Sequence, residues 1–191
     1  MKIGLFFGSF NPIHIGHLAM ANYFVEFSDL EQIWLVVSPQ NPFKTKKNLL
    51  SEYDRYQMVD IALSDDFQIR ASNIEFNLPK PSYTIDTLTY LTEKHKNHQF
   101  ALIIGSDNLK YFHKWKNYQE IINQYGIYVY PRLGSDPYQF SEKFHLKLVN
   151  APSIEISSSF IRNAIAEGKD VRYFLPEKVY QYIKEMHLYE N

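Results

Sequence analysis

Two histidines three residues apart, His14 and His17, sit in the run Gly8-Ser-Phe-Asn-Pro-Ile-His-Ile-Gly-His-Leu18. At helical spacing both imidazoles can face the same space. The apolar run Ile3–Phe7 before them reads as a buried strand, and Leu18–Phe27 after them reads as a packed helix. In that setting Gly8 is expected to make a tight turn, Pro12 to stiffen the loop, and Gly16 to admit a ligand to the backbone at the helix start. A helix start offers unpaired N–H groups and the positive end of a dipole, so two ring donors beside it suit a polyphosphate. A lone H-x-x-H is more often a turn histidine plus a capping one. The register of strand, glycine, proline, histidines and helix is what points to chemistry.

A second hydroxyl-rich stretch lies near the other end of the chain, where Ser157, Ser158 and Ser159 precede Phe160-Ile-Arg-Asn-Ala-Ile-Ala-Glu-Gly168. Serine capping and a terminal glycine account for a helix here, with Ile161, Ala164 and Ile165 as its buried stripe. Arg162 falls off that stripe, one turn in. Hydroxyls at a helix start with a guanidinium beside them also form a phosphate clamp.

The elements needed to position these groups alternate strand and helix. Gln32–Ser38 is an interior strand closed by Pro39, followed by a basic loop with Lys44, Lys46 and Lys47. Such a cluster usually solvates a loop. Ser51–Leu63 reads as a Ser-capped helix in which Arg55 is a surface or helix-pairing cation. Phe67–Phe76 reads as a strand, and Ser82 caps a helix beginning Ser-Tyr-Thr-Ile-Asp-Thr-Leu88. Phe100–Asp107 is a second strand ending in glycine, at Gly105, with helices over Asn108–Trp115 and Tyr118–Gln124. By spacing alone Trp115 is core. Ile127–Tyr130 and His145–Val149 are strands, with the connector Leu133–Phe144 between them, and Pro176 opens a final helix carrying Val179, Ile183 and Met186. The pattern predicts an α/β fold, a doubly wound Rossmann-like parallel sheet of about five to six strands with helices on both faces. One domain spans 1–191, with 155–191 as its C-terminal helical part.

Composition narrows the function classes. A formal net charge of −1 argues against nucleic acid or an anionic membrane as the main partner. No apolar run is long enough to span a bilayer, and the chain enters a strand without a signal-like start, so the expectation is cytoplasmic. The absence of cysteine excludes disulfides, thiolate nucleophiles and cysteine metal sites.

Gly8, Phe10, Pro12, His14, Gly16 and His17 meet G-x-F-x-P-x-H-x-G-H, and the stretch resembles the signature of the nucleotidyltransferase superfamily. Class I aminoacyl-tRNA synthetases carry a related H-I-G-H. The middle motifs resemble the nicotinate mononucleotide adenylyltransferases: P-x-K at Lys44, R-x-x-M at Arg55 and Met58, S-Y-T-x-D-T-L from Ser82, and G-x-D-x-L-x-x-F-x-x-W from Gly105 to Trp115. Ser157-Ser-Ser-Phe-Ile-Arg162 resembles their I-S-S-T-x-I-R, with Ser159 where Thr is usual.

The resemblance implies adenylyl transfer from ATP to nicotinate mononucleotide, giving deamido-NAD and pyrophosphate. It implies His14, His17, Lys44 and Arg162 as catalytic. ATP would be bound by Gly8, Ser9, Phe10, His14, Gly16, His17, Gly105, Asp107, Ser158, Ser159 and Arg162. The mononucleotide would lie against Asn11, Lys44, Tyr83, Thr84, Trp115 and Arg132. No acidic cluster reads as a metal cage, so Mg²⁺ is expected to arrive on ATP. A homo-oligomer is compatible with all of this. The alternatives are another small adenylyl- or cytidylyltransferase, such as phosphopantetheine adenylyltransferase, or a non-catalytic nucleotide-binding module. A redox dinucleotide domain is disfavoured, because the first strand is followed by G-S-F-N-P-I-H instead of G-x-G-x-x-G.

Overall fold

Apolar residues at alternate positions on both faces of the central strands require helices above and below the sheet. In the computed structural model, which describes residues 1–39, 49–136, 138, 140 and 144–190, that demand is met by six strands. They are β1 (Lys2–Gly8), β2 (Gln32–Val37), β3 (Ile69–Ser72), β4 (Gln99–Gly105), β5 (Gly126–Tyr130) and β6 (Lys147–Leu148). Their order is β3-β2-β1-β4-β5-β6 and every pairing is parallel. The fold is therefore a single-domain Rossmann-like sheet, and its winding reverses between β1 and β4. In such sheets the ligand crevice opens beyond the carboxyl ends of the strands at that switch point. Gly8 and Gly105 end the two strands that flank it.

One face of the sheet, through Phe6, Ile33, Leu35, Val37, Ile103 and Tyr128, is covered by α1 (Ile15–Phe27), α2 (Glu52–Ala62), α5 (Ser158–Ala166) and α6 (Glu177–Glu185). Phe24 of α1 is fully buried there, which stabilises by about 1.5–3 kcal/mol through its removal from water. The other face, through Ile3, Leu5, Leu102, Ile104 and Val129, packs under α3 (Thr84–Lys94) and α4 (Tyr118–Gln124).

Several local expectations need correction. Phe67–Phe76 is a strand only over Ile69–Ser72, because Asp66 accepts from the Gln68 and Ile69 N–H groups and holds a turn before it. A 3₁₀ segment, Ile74–Asn77, follows. The stretch after Gly105 is likewise 3₁₀, over Ser106–Lys114. Ser82 is not the cap of α3; Tyr83 holds that position, without a side-chain cap bond. Pro176 is the N-cap of α6 and not its first helical residue. Met186 lies beyond the end of α6 and is 54% exposed, while Leu188 and Tyr189 turn back onto the core in its place.

Candidate active site

The β1–α1 connection builds the centre of the site. Gly8 is extended strand, not a turn glycine. Its missing Cβ makes room for the Phe10 ring, which would lie 2.7 Å from that atom. The left-handed conformation falls instead on Phe10, at φ 44°. Gly16 answers a similar need: an added Cβ would stand 3.1 Å from His14 Nδ1 and 3.3 Å from Ile154 Cγ2, so its missing side chain makes room for the histidine ring.

His14 is the N-cap of α1, and His17 sits one turn in, with the two rings stacked at 3.7 Å. The His14 backbone N–H donates to His17 Nδ1 at 3.3 Å. That bond places the proton of a neutral His17 on Nε2. His14 is buried, and burial, followed by the charge of Arg132, lowers its pKa to about 4. It is neutral at pH 7, and its buried Nδ1 makes no hydrogen bond among the described residues. A buried polar nitrogen left in that state costs free energy.

Helix α5 closes this side. The Ser157 hydroxyl accepts from Phe160 N–H at 3.2 Å, and Gly168 takes the left-handed C′ position at φ 71°. Ser158 Oγ donates to the Pro12 carbonyl at 2.8 Å. Arg162 donates to the Asn11 carbonyl at 2.7 Å and to Ser159 Oγ at 3.3 Å. The expected phosphate clamp thus also fastens the histidine loop, with guanidinium N–H groups to spare.

Two cavities share one wall. The first is lined by the histidines together with Gly8, Ser9, Phe10 and Asn11. Asp107, Arg132, Ser158, Ser159 and Arg162 complete it. The second holds Tyr83, Thr84, Gly105, Trp115, Lys114 and Lys116. Phe6, Phe7, Ser38, Asn108 and Tyr130 line both. Most of the expected residues are therefore brought together, with three differences in place. Asn11 and Arg132, expected beside the mononucleotide, line the histidine cavity, where Arg132 Nε lies 3.9 Å from Asp107. Gly105, expected against ATP, borders the aromatic cavity. A Cβ there would meet Asp107 Oδ1 at 2.5 Å. Gly16 lines a recess behind His14 and His17. Lys44 lies outside the described residues.

Sequence reasoning missed several side chains. Arg55 is not a surface cation: it is 1% exposed and donates to the carbonyls of Ser9 (2.7 Å), Ser38 (2.8 Å), Pro39 (3.0 Å) and Leu50 (3.1 Å). Burial lowers its pKa. It ties together the exits of β1 and β2. Tyr189, near the chain end, donates to Asn11 Oδ1 at 2.8 Å. Glu75 is buried in the wall of the aromatic cavity. In sequence only the R-x-x-M resemblance marked Arg55, and nothing marked the other two.

This arrangement has known relatives. Residues 5–164 match the cytidylyltransferase-like family. A probable nicotinate-nucleotide adenylyltransferase of Flavobacterium johnsoniae is 53% identical over 193 residues, with 100% of both chains covered. Another, from Cytophaga hutchinsonii, is 51% identical over 191 residues with the same coverage. In fold the chain is similar to the solved Plasmodium falciparum nicotinic acid mononucleotide adenylyltransferase complexed with NaAD. That match has a TM-score of 0.84 at 22% identity and covers 98% of this chain and 97% of that one. The chain belongs to the cytidylyltransferase-like family and, within it, to the nicotinate-nucleotide adenylyltransferases.

Proposed function

We infer that the protein transfers the adenylyl group of ATP to nicotinate mononucleotide, forming deamido-NAD and pyrophosphate in NAD biosynthesis. The observation that carries this reading is one cleft with two unlike halves, a polar one around His14 and His17 and an aromatic one around Trp115, meeting at a common wall. A nucleoside triphosphate fits the first, and a ring-bearing acceptor fits the second.

No covalent intermediate is needed. The mononucleotide phosphate is ionised at pH 7 and attacks the α-phosphorus in line. The new P–O bond forms as the bond to the bridging oxygen breaks, and the electron pair leaves with pyrophosphate. The protein's part is alignment and donation to developing charge. His17 Nε2–H, the Ser159 hydroxyl and the spare N–H groups of Arg162 supply the donors, the neutral His14 imidazole stacks beside His17, and Arg132 adds charge. Lys44 is proposed to join them from the loop after β2, on its sequence motif.

Asp107 is the one carboxylate lining this cavity among the described residues, a donor set that suits a cation shared with the nucleotide and not an all-protein cage. Mg²⁺ is proposed to enter on the triphosphate, where it supplies charge neutralisation. No helix among the described residues is long and apolar enough to cross a membrane, and a cytoplasmic location is part of the proposal.

In the aromatic half, Trp115 packs on Phe112 with ring centroids 5.1 Å apart and offers a π face to a cationic pyridinium. Lys114, Lys116, whose ammonium is held by Asp86 at 2.9 Å, and the first-turn N–H groups of α3 supply donors, while the Glu75 carboxylate in the same wall is occupied by Ser82 and Thr87; that balance favours a carboxylate over a carboxamide there. The test is pyrophosphate release from ATP with nicotinate mononucleotide, nicotinamide mononucleotide or phosphopantetheine. The expected order puts the acid first by about fivefold to hundredfold, from a mismatch worth roughly 1–3 kcal/mol. Preference for the amide overturns the acid assignment, turnover with phosphopantetheine alone overturns the acceptor class, and no release with any acceptor overturns catalysis.

A further inference from the structure

One buried carboxylate, Glu75, has no part in the chemistry described. It is 2% exposed, in the 3₁₀ segment that follows the edge strand β3. An acid is rarely buried this far without partners, and each oxygen of Glu75 has one. Oε1 accepts from Thr87 Oγ1 at 2.8 Å, and Oε2 accepts from Ser82 Oγ at 3.0 Å. Burial raises the carboxyl pKa, and the hydroxyls of Thr87, Ser82 and Ser38 pull it back.

The placing of those two hydroxyls gives the carboxylate a purpose. Ser82 lies two residues before the first residue of α3, and Thr87 lies in its first turn. The Glu75 carboxylate therefore straddles Tyr83 and Thr84, which line the aromatic cavity with Trp115. Tyr83, the N-cap, makes no side-chain cap bond, so nothing in the helix's own cap fixes where this start sits. The first-turn N–H groups of a helix lack intrahelical partners and point outward along the axis. Their direction is set by how the start of the helix is held: Lys116 grips it at the surface, through Asp86 at 2.9 Å and over the Tyr83 ring, and Glu75 holds it from the buried side.

We propose that Glu75 is a positioning residue for the mononucleotide: its carboxylate clasps Ser82 and Thr87 and so holds the start of α3 at one distance from Trp115, fixing the donors that receive the pyridine substituent. The proposal rests on the mononucleotide occupying the aromatic half of the cleft. A carboxylate can accept from both hydroxyls. An amide of the same shape accepts from one and donates to the other, since a hydroxyl can reverse its role. Alanine leaves both hydroxyls without an acceptor.

The test is a set of four variants, Glu75→Ala, Glu75→Gln, Ser82→Ala and Thr87→Val, with KM measured separately for nicotinate mononucleotide and ATP and with calorimetric ATP binding as the check on folding. Glu75→Ala is expected to raise KM for the mononucleotide roughly tenfold to hundredfold, from two orphaned donors. Each hydroxyl variant should raise it roughly fivefold, and Glu75→Gln by no more than about threefold. KM for ATP should stay within about twofold throughout. If Glu75→Ala no longer binds ATP, the two hydroxyl variants carry the test alone. Parallel rises in both KM values, no rise for the mononucleotide, or a Gln variant as impaired as the Ala variant would overturn the clasp. Wild-type protein that binds no nicotinate mononucleotide would overturn the underlying substrate reading and this proposal with it. Wild-type turnover with unselective variants overturns the proposal alone.

Discussion

The histidine half of the cleft and its aromatic half stand on adjacent strands, yet they are held in place by different forces. Around the histidines, side chains from distant parts of the chain donate to backbone carbonyls: Arg55 to Ser9 and Ser38, Ser158 to Pro12, and Arg162 to Asn11. Around Trp115 the work is done by packing, with Phe112, Leu109 and Ile104 buried beneath it, by a buried clasp at Glu75 and by the exposed Lys116–Asp86 pair. The difference follows from what each half must meet. A triphosphate needs donors aimed at particular oxygens, and a loop can aim them only if its own carbonyls are satisfied elsewhere. A planar ring needs a flat surface at a set spacing, which a packed core supplies.

The largest effect should come from Arg55, because its loss orphans four carbonyls at once. Arg55→Met is expected to lower the unfolding free energy by about 3–5 kcal/mol in urea denaturation. A loss under about 1 kcal/mol would mean the loop is held without it.

Next in size is His17→Ala, which removes one donor from the polar half. Turnover should fall by about 10²–10³ while KM for the mononucleotide stays near that of the wild type. Trp115→Ala should do the reverse at smaller scale, raising KM for the mononucleotide roughly tenfold to hundredfold with KM for ATP little changed. Initial-rate kinetics on the two variants side by side would break the comparison if both raised both constants.

How much of this contrast was legible in the sequence depended on distance along the chain. The strand, loop and helix around His14 and the serine-capped start of α5 are local patterns, and their geometry follows from spacing and capping alone. The doubly wound parallel sheet was legible as well, since alternating strands and helices admit few topologies. Arg55 and Tyr189 were not, because their partners lie 46 residues away at Ser9 and 178 residues away at Asn11. Glu75 looked like a polar residue on a strand because its two hydroxyls, 7 and 12 residues on, belong to the lead-in and first turn of the next helix. What Gly8 and Gly16 make room for was hidden for a related reason. Their demand is for room beside Phe10 and His14, and a sequence shows where a glycine stands but not what occupies the space beside it.

The two halves should also answer pH in opposite directions. His14 titrates near 4 when folded and near 6.5 when unfolded, so its contribution to stability is fully present above about pH 6.5 and is lost as pH falls toward 4. Between pH 7 and 5 that amounts to about 2 kcal/mol, an effect that His14→Gln should abolish in urea unfolding at the two values. Glu75 works the other way: with its pKa raised on folding, its contribution is present below the unfolded value and declines as pH rises through the folded one. An unchanged slope in His14→Gln would show that His14 is not the group responsible.

The division of labour in the cleft is tested most directly by a crystal structure of the protein with deamido-NAD bound. The account requires the pyridine ring on Trp115, with its carboxylate toward Lys116 and the start of α3, and the adenylyl phosphate beside His14 and His17. An adenine stacked on Trp115, with the pyridine among the histidines, would contradict it.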